Sequence, residues 1–161
     1  MRKKVYHELP PIYHKKDKVL LLGSLPSPTS RENKFYYGHP QNRFWKILAK
    51  VFNEEVPLTI EDKKLFLEKN KIALWDVVNS CEIENASDSS ITNIVPNDLN
   101  IILKDCKIEK IFTLGKTATN LYKKYCYPQT KIESIYLPST SPANCAMNEE
   151  ELIKEFIKIK N

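Results

Sequence analysis

The residue types best suited to chemistry crowd into one stretch, residues 23–45, which reads GSLPSPTSRENKFYYGHPQNRFW. It contains two of the chain's three glycines, together with serines, three adjacent aromatics, a histidine and an asparagine. Long loops without secondary structure of their own are usually functional or disordered, and clustered aromatics disfavour disorder. We therefore interpret this segment as a functional loop between the apolar run VLLLG and a helical pattern.

The aromatics at residues 35–37 and the polar residues after them suit nucleobase recognition. A planar ring at the carboxyl edge of a strand can stack on a base, although at least one of the three rings is expected in the core. His39 and Asn42 follow closely, and an asparagine offers one acceptor and two donors to a base edge or a water. The local pattern alone favours the alternative that Asn42 caps a helix starting at Arg43.

A second loop, LPSTSPAN at residues 137–144, is similar to GSLPSPTS at residues 23–30, because each places hydroxyl groups after a strand end and a proline. Hydroxyls and backbone N–H groups in such turns donate to phosphate oxygens. The candidate hydroxyls are Ser24, Ser27, Ser30, Ser139 and Ser141. Serine and proline are also ordinary turn residues, which is the alternative for each loop alone. Two such loops at one sheet edge indicate a surface that grips a phosphate backbone.

Alternating strand and helix patterns position these loops. Strands are predicted at residues 18–22, 71–78, 108–114 and 132–137. Helices are predicted at residues 43–52, 61–70, 97–105, 116–126 and 149–160. The alternation predicts an α/β fold with a mostly parallel sheet covered on both faces. Ligands of such sheets bind beyond the carboxyl ends of the strands, here at residues 23–42, 76–91, 115–117 and 137–144.

Composition describes an ordinary globular protein of one domain, residues 1–161. The net charge of +5 raises the expectation of a polyanionic partner only modestly. No apolar run approaches the roughly 20 residues of a membrane span, and the basic N-terminus lacks the apolar core of a secretory signal. We therefore expect a cytoplasmic protein without membrane contact. The four cysteines lack zinc-site spacing, so we expect free thiols and no metal.

Other site classes find little support. Gly23 and Gly115 end predicted strands, where glycine permits a sharp turn or a close ligand; we favour the simple turn for Gly115 and a ligand for Gly23. Neither belongs to a nucleotide-binding glycine motif. Asp76 is the only acid at a predicted strand end, and a structural role is as well supported as a catalytic one. A paired-carboxylate glycosidase and a GxSxG hydrolase both lack their residues.

Together, GSLPSPTSRENKFYYGHPQNRFWKIL and LPSTSPAN resemble the motifs of the uracil-DNA glycosylase superfamily, most closely its hypoxanthine-DNA (deoxyinosine) glycosylase branch. The segment HPQNRFWK is also similar to mismatch-specific uracil glycosylases, and ALWDVV, SDSSI and LGKTA fit the hypoxanthine branch. The resemblance spans roughly residues 18–148. It implies a three-layer α/β fold, with a four-stranded parallel sheet flanked by helices.

Two departures from the wider superfamily are informative. Many members have Asp or Asn at the third position of the first motif, where this chain has Leu25. Many have His or Asn at the start of the second motif, where this chain has Leu137. Leucine can neither orient water nor hydrogen-bond a leaving base, which disfavours uracil excision in the usual style. The hypoxanthine branch is similar at both places and relies on the asparagine of its HPQN segment, so the resemblance implies Asn42 as the catalytic residue.

The implied enzyme flips deoxyinosine out of DNA, hydrolyses its N-glycosidic bond and leaves an abasic site. Tyr37 matches the base-stacking aromatic, Phe35 is expected to pack, and Gly38 is expected to allow the turn that presents Tyr37. The implied base-binding residues are Gly23, Ser24, Leu25, Tyr37, His39 and Asn42. The implied DNA-binding residues are Ser27, Ser139, Ser141, Pro142, Ala143 and Asn144. The resemblance implies no metal or cofactor, and a monomer acting on DNA that contains a deaminated base.

Three alternatives stay open at this point. A uracil or broad-range deaminated-base glycosylase would share the fold. A non-catalytic relative would bind DNA without forming an abasic product. A small-molecule enzyme of the doubly wound class would lack the salt-dependent DNA binding that phosphate contacts produce.

Overall fold

The computed structural model describes residues 3–6, 9–25, 35–39, 41–83, 92–142, 144 and 146–160. Of the candidate site residues in the two predicted loops, Ser27, Ser30 and Ala143 lie outside these ranges. The described strands are β1 (Lys3–Tyr6), β2 (Val19–Gly23), β3 (Ile72–Asp76), β4 (Val78–Ile83), β5 (Thr92–Pro96), β6 (Lys110–Leu114) and β7 (Ser134–Leu137).

The described helices alternate with these strands. They are α1 (Phe44–Val51), α2 (Ile60–Lys69), α3 (Asn100–Leu103), α4 (Lys116–Leu121), a π-helical turn (Tyr122–Cys126), α5 (Tyr127–Thr130), α6 (Glu149–Phe156) and a closing 3-10 turn (Ile157–Ile159). Thr59 caps α2 through the N–H of Asp62, and Asn148 and Glu151 form a reciprocal capping box at α6. These caps satisfy N–H groups that a helix leaves without partners at its start.

The four strands β3, β2, β6 and β7 form a parallel sheet in that order. Every residue of β2 and of β3 is buried, as expected for strands covered on both faces. The register aligns the last residues of these two strands, Gly23 and Asp76. The predicted α/β fold with a four-stranded parallel sheet is therefore confirmed, and the carboxyl ends of β2 and β3 open on the same edge.

A second sheet, β1-β4-β5, is antiparallel and was not predicted. The predicted strand at residues 71–78 is wrong as one element, because the chain leaves the parallel sheet after Asp76 and enters β4 at Val78. The N–H groups of Val77 and Val78 donate to the carbonyl oxygens of Gly23 and Ser24, at 2.8 and 3.0 Å. This pairing carries the chain past the site edge into the second sheet.

Two predicted helices are wrong in extent. The helix predicted at residues 97–105 is only the short α3, because Asn97 is used in a strand-end contact instead. The helix predicted at residues 116–126 changes to π-helical geometry at Tyr122, whose buried hydroxyl donates to the carbonyl oxygen of Ile132. A tertiary hydrogen bond of this kind leaves no trace in hydrophobic periodicity.

Helix α1 packs its apolar face into the core and carries the residues that follow the first motif. Its buried side chains are Phe44, Trp45, Ile47, Leu48, Ala49 and Val51. Lys46 and Lys50 form ion pairs with Glu149 at the start of α6. The start of α1 is therefore held against the sheet and against the closing helix.

We predict that Asn97→Ala lowers the free energy of unfolding by about 1–3 kcal/mol, the cost of buried polar groups left without partners. Asn97 is 3% exposed, and its amide nitrogen donates to the carbonyl oxygens of Asp76 and Val78, at 2.8 and 3.3 Å. Urea denaturation measures the change. Asn100→Ala, at an exposed position in α3, is the matched control. Equal effects of the two substitutions would contradict this role for Asn97.

Candidate active site

Two polar groups converge on Gly23 at the carboxyl edge of the sheet. A Cβ atom added to Gly23 would lie 2.5 Å from Oδ1 of Asp76 and 3.1 Å from the hydroxyl oxygen of Tyr37. Gly23 is therefore required because these side chains pack against its backbone. Gly23 is the last residue of β2, and the ligand expected beside it stays a prediction, whereas Gly115 has φ of +89° and makes the simple turn predicted for it.

Tyr37 occupies the centre of this edge in an unusual backbone conformation. Its φ is 54°, which costs a non-glycine residue about 1–3 kcal/mol. Gly38 was expected to supply the turn, and that expectation is wrong, because Gly115 is the only glycine with positive φ among the described residues. The ring of Tyr37 stacks on Phe44, with centroids 3.9 Å apart and planes 17° apart. The core contact with Phe44 offsets the cost of the backbone.

The hydroxyl of Tyr37 is buried and has no hydrogen-bond partner within the described part of the chain. Burial raises the pKa of Tyr37 well above its ordinary value, and the nearby charge of Asp76 raises it further. The phenol therefore keeps its proton at physiological pH. A buried donor without a partner, beside a carboxylate that is 3% exposed, is typical of a site that awaits a polar ligand.

The two preceding aromatics belong to the core. Phe35 is 4% exposed and stacks on Trp45, with centroids 6.0 Å apart, which confirms the prediction that it packs. Tyr36 is 2% exposed, and its hydroxyl donates to the carbonyl oxygen of Pro10 at 2.8 Å. Of the three adjacent rings, Tyr37 alone is partly exposed.

Asn42 links the first loop to helix α1 and to the second loop. Its side-chain oxygen accepts the N–H of Phe44 at 2.9 Å and the hydroxyl of Thr140 at 2.8 Å. The helix starts one residue later than predicted, with Arg43 at the N-cap position, so Asn42 is not the N-cap residue. Its bond nevertheless satisfies the N–H of Phe44 at the start of α1. The second bond reaches the other predicted loop. The capping contact and a role in chemistry are compatible, because Asn42 is half-buried and its amide nitrogen has no partner among the described residues.

Arg43 is a second link between the loops, and neither it nor Thr140 was predicted. The N–H of Arg43 donates to the carbonyl oxygen of Thr140 at 3.2 Å. The guanidinium donates to the carbonyl oxygens of Asn144 and Met147, at 2.8 and 2.7 Å. These contacts join positions about one hundred residues apart, so no local pattern could have paired them.

The second loop is shaped by its own predicted residues. Ser139 accepts the N–H of Ser141 through its hydroxyl oxygen at 3.0 Å. The side-chain nitrogen of Asn144 donates to the carbonyl oxygen of Ser139 at 2.8 Å. The backbone N–H of Asn144 donates to the carbonyl oxygen of Ser141 at 2.9 Å. Pro142 is exposed beside them. The contact of these residues with DNA stays a prediction.

The remaining predicted residues surround this centre. His39 accepts the N–H of Gln41 through Nδ1 at 3.1 Å, and its carbonyl oxygen accepts the N–H of Asn42 at 2.9 Å. Ser24 is partly buried directly after β2. Leu25 packs against the small apolar cluster that includes Val78. The structure thus brings Gly23, Tyr37 and Asp76 together, and it separately joins Asn42 to the second loop.

Within the described ranges, no three His, Cys, Asp or Glu side chains are grouped as a metal site would require. Cys81, Cys106 and Cys126 are buried, Cys106 and Cys126 are free thiols as predicted, and Cys145 lies outside the described residues. None of the described helices is long and apolar enough to cross a membrane.

We predict that Gly23→Ala lowers the free energy of unfolding by about 1–3 kcal/mol, the usual cost of forcing extra atoms into a packed site. The cause is the clash with Asp76, so the loss should shrink when Gly23→Ala is made in an Asp76→Ala background. Urea denaturation of the four proteins of this cycle measures the coupling, expected at about 1 kcal/mol or more. Strictly additive losses would contradict the packing account.

Comparison with known proteins agrees with the motif resemblance. The profile of the uracil DNA glycosylase superfamily matches residues 10–159. A protein of Methanosarcina acetivorans named Hypoxanthine DNA glycosylase is 36% identical over 140 residues, which cover 84% of this chain and 85% of that protein. A Methanosarcina barkeri protein of the same name is 36% identical over 97 residues, which cover 60% of this chain but only 61% of that protein.

Solved structures include a similar fold. The solution NMR structure of a Methanosarcina acetivorans protein described as a uracil DNA glycosylase matches with a TM-score of 0.79 and 30% identity, over 95% of this chain and 97% of that chain. The resemblance seen in the sequence motifs is confirmed. This chain belongs to the uracil DNA glycosylase superfamily, in the branch whose members are named hypoxanthine DNA glycosylase.

Proposed function

We propose that this protein hydrolyses the N-glycosidic bond of deoxyinosine in DNA, releasing hypoxanthine and leaving an abasic site. The observation that carries the proposal is the group formed by Gly23, Tyr37 and Asp76 at the carboxyl edge of the sheet. It offers an aromatic ring and a buried carboxylate in one place. The superfamily membership and the names of the relatives support the same activity.

Tyr37 would receive the base after the damaged nucleotide is flipped out of the duplex. Flipping costs a few kcal/mol, and the cost is lowest for a mispaired base. Deoxyinosine opposite thymine is such a base. Phe44 covers one face of the Tyr37 ring, so the purine would stack on the other. Stacking on an aromatic side chain stabilises a bound base by about 1–3 kcal/mol. The fixed stack of Tyr37 on Phe44 prepares that surface before the base arrives.

Asp76 would read the chemical change that deamination causes. Adenine presents a lone pair at N1, whereas hypoxanthine presents an N–H donor there and a carbonyl oxygen beside it. A carboxylate accepts from that N–H but repels a lone pair. Asp76 is 3% exposed, so a base that sets a lone pair against its carboxylate binds at a large cost in free energy. Buried sites of this kind discriminate strongly between the two bases.

Asn42 would act at the glycosidic bond itself. The reaction passes through an oxocarbenium-like sugar while negative charge develops on the departing base. Preorganised donors stabilise such charge most effectively in a site that excludes water. The amide of Asn42 and the backbone N–H groups at Ser24 and Leu25 are the proposed donors. An amide does not titrate usefully, so Asn42 would orient and hydrogen-bond rather than transfer protons.

The second loop would hold the DNA around the lesion. Ser139 and Ser141 would face phosphates, with Pro142 and Asn144 near the gap left by the flipped nucleotide. The net charge of +5 favours this polyanionic substrate. Each step uses side chains, backbone groups and water. A monomer and a cytoplasmic location remain our predictions.

We predict strong excision from a labelled duplex that contains one deoxyinosine and much weaker excision from the matched deoxyuridine duplex. Alkali cleavage of the abasic product measures both. Asn42→Ala should reduce deoxyinosine excision at least about 100-fold, the scale of lost oxyanion donors. The variant should still bind the duplex, as gel shift would show. Excision mainly at deoxyuridine, or full activity of the variant, would contradict the proposal.

We predict that Asp76→Asn lowers the single-turnover rate of hypoxanthine excision about 10- to 100-fold. An amide that presents its NH2 group to the N1–H of hypoxanthine sets two hydrogen-bond donors against each other. Asp62→Asn, at an exposed position in α2, is the matched control and should keep full activity. Unchanged excision by the folded Asp76→Asn variant would show that Asp76 does not read the base.

A further inference from the structure

The chemistry open to Asn42 depends on which end of its amide faces the substrate. The amide oxygen would accept a hydrogen bond from a water and orient it for attack on the sugar. The amide nitrogen would donate hydrogen bonds to the departing base. These are different mechanisms, and the contacts of Asn42 discriminate between them.

The oxygen of the amide is identified by its partner. The N–H of Phe44 can only donate, and it lies 2.9 Å from the side-chain atom of Asn42 that faces it. That atom must therefore be the oxygen. A reversed amide would set its NH2 group against the N–H of Phe44, and two opposed donors disfavour that arrangement by roughly 10- to 100-fold.

Thr140 strengthens this orientation from the opposite loop. It is 2% exposed, and its hydroxyl donates to the same oxygen of Asn42 at 2.8 Å. Its carbonyl oxygen accepts the N–H of Arg43 at 3.2 Å, so the backbone of Thr140 is fixed as well. The oxygen of Asn42 thus holds two donors that come from two different segments.

The amide nitrogen is the end that these bonds leave for a ligand. It has no hydrogen-bond partner within the described ranges, and Asn42 is only half-buried. With both lone-pair directions of the oxygen occupied, a third donor such as a water finds no good geometry there. The nitrogen keeps two N–H groups to offer.

We propose that Thr140 is a positioning residue that holds Asn42 with its NH2 group toward the substrate, so that Asn42 donates to the departing base. This inference rests on the proposed glycosylase function. The bond between C1′ and N9 breaks with its electron pair moving to the base. The Asn42 donor stabilises the resulting hypoxanthine anion through a ring nitrogen or O6. Water then bonds to C1′ and releases a proton to solvent, and the anion takes up a proton to leave as neutral hypoxanthine.

The decisive experiment is single-turnover excision by Asn42→Asp as a function of pH. A carboxylate has no donor, and its charge opposes the developing anion. We therefore expect the rate relative to wild type to be at least 100-fold lower at pH 8. It should rise about tenfold for each unit that the pH falls toward the carboxyl pKa, because the protonated acid can donate again. A carboxylate that activated water would instead keep or raise the rate at pH 8 and lose it in acid.

The ratio to wild type isolates the new carboxyl group. The ionisable residues nearest to it in the sequence are His39 and Arg43, and Tyr37 stacks on the same Phe44 whose N–H binds residue 42. These residues and Asp76 are present in both proteins, so the ratio compares the two side chains in the same surroundings. A folded Asn42→Asp variant with near wild-type activity at pH 8, or with no recovery between pH 8 and pH 5, would overturn the inference. Absence of excision by wild type would instead contradict the proposed function.

Thr140 provides an independent test. Thr140→Val removes the hydroxyl at nearly constant volume and should lower kcat about tenfold with little change in KM, whereas Thr140→Ser should restore most of the rate. In an Asn42→Ala background, Thr140→Val should have no further effect on excision, because a positioning residue acts through its partner. Urea denaturation checks that each variant is folded. Equal losses for Thr140→Val in both backgrounds would show a merely structural role.

Discussion

The hydrogen bonds on the side-chain oxygen of Asn42 are the contact on which the geometry of the site depends. One comes from the start of α1 and the other from Thr140, about one hundred residues further along the chain. Arg43 reinforces the junction by donating to the backbone carbonyl oxygens of Thr140 and Asn144 in the second loop and of Met147 just after it. Two loops that fold from distant parts of the sequence thereby become one rigid surface. Without this junction, a hydrogen-bonding group at the glycosidic bond would have no fixed direction.

The parallel sheet supplies the other half of the site. Its register places the last residue of β2 opposite the last residue of β3, so Asp76 lies against the backbone of Gly23. A side chain at position 23 would displace both Asp76 and the hydroxyl of Tyr37. Helix α1 then connects the two halves, since Phe44 stacks on Tyr37 and binds Asn42 through its N–H. A base on Tyr37 would therefore meet Asp76 and Asn42 in a fixed relation.

The sequence was sufficient for the parallel sheet and for the superfamily, because buried strands and long motifs are local signals. VLLLG and ALWD have continuous apolar character, and the first motif is long enough to be specific. The second sheet escaped prediction because β4 follows β3 after a single residue, which hides the boundary in one apolar run. Arg43 and Thr140 were missed although both lie inside quoted motifs. Both residues act through contacts between two segments that are distant in the sequence. The spacing of residues within a motif does not predict such contacts.

The most direct test of the account is a crystal structure of the protein with a duplex that carries 2′-fluoro-deoxyinosine, a substrate analogue expected to resist cleavage. We expect a flipped hypoxanthine stacked on the face of Tyr37 opposite Phe44. We also expect the N1–H group on the carboxylate of Asp76 and the Asn42 nitrogen within hydrogen-bond distance of the base. A base held elsewhere, or an Asn42 oxygen that had left Thr140 to hold a water, would contradict it.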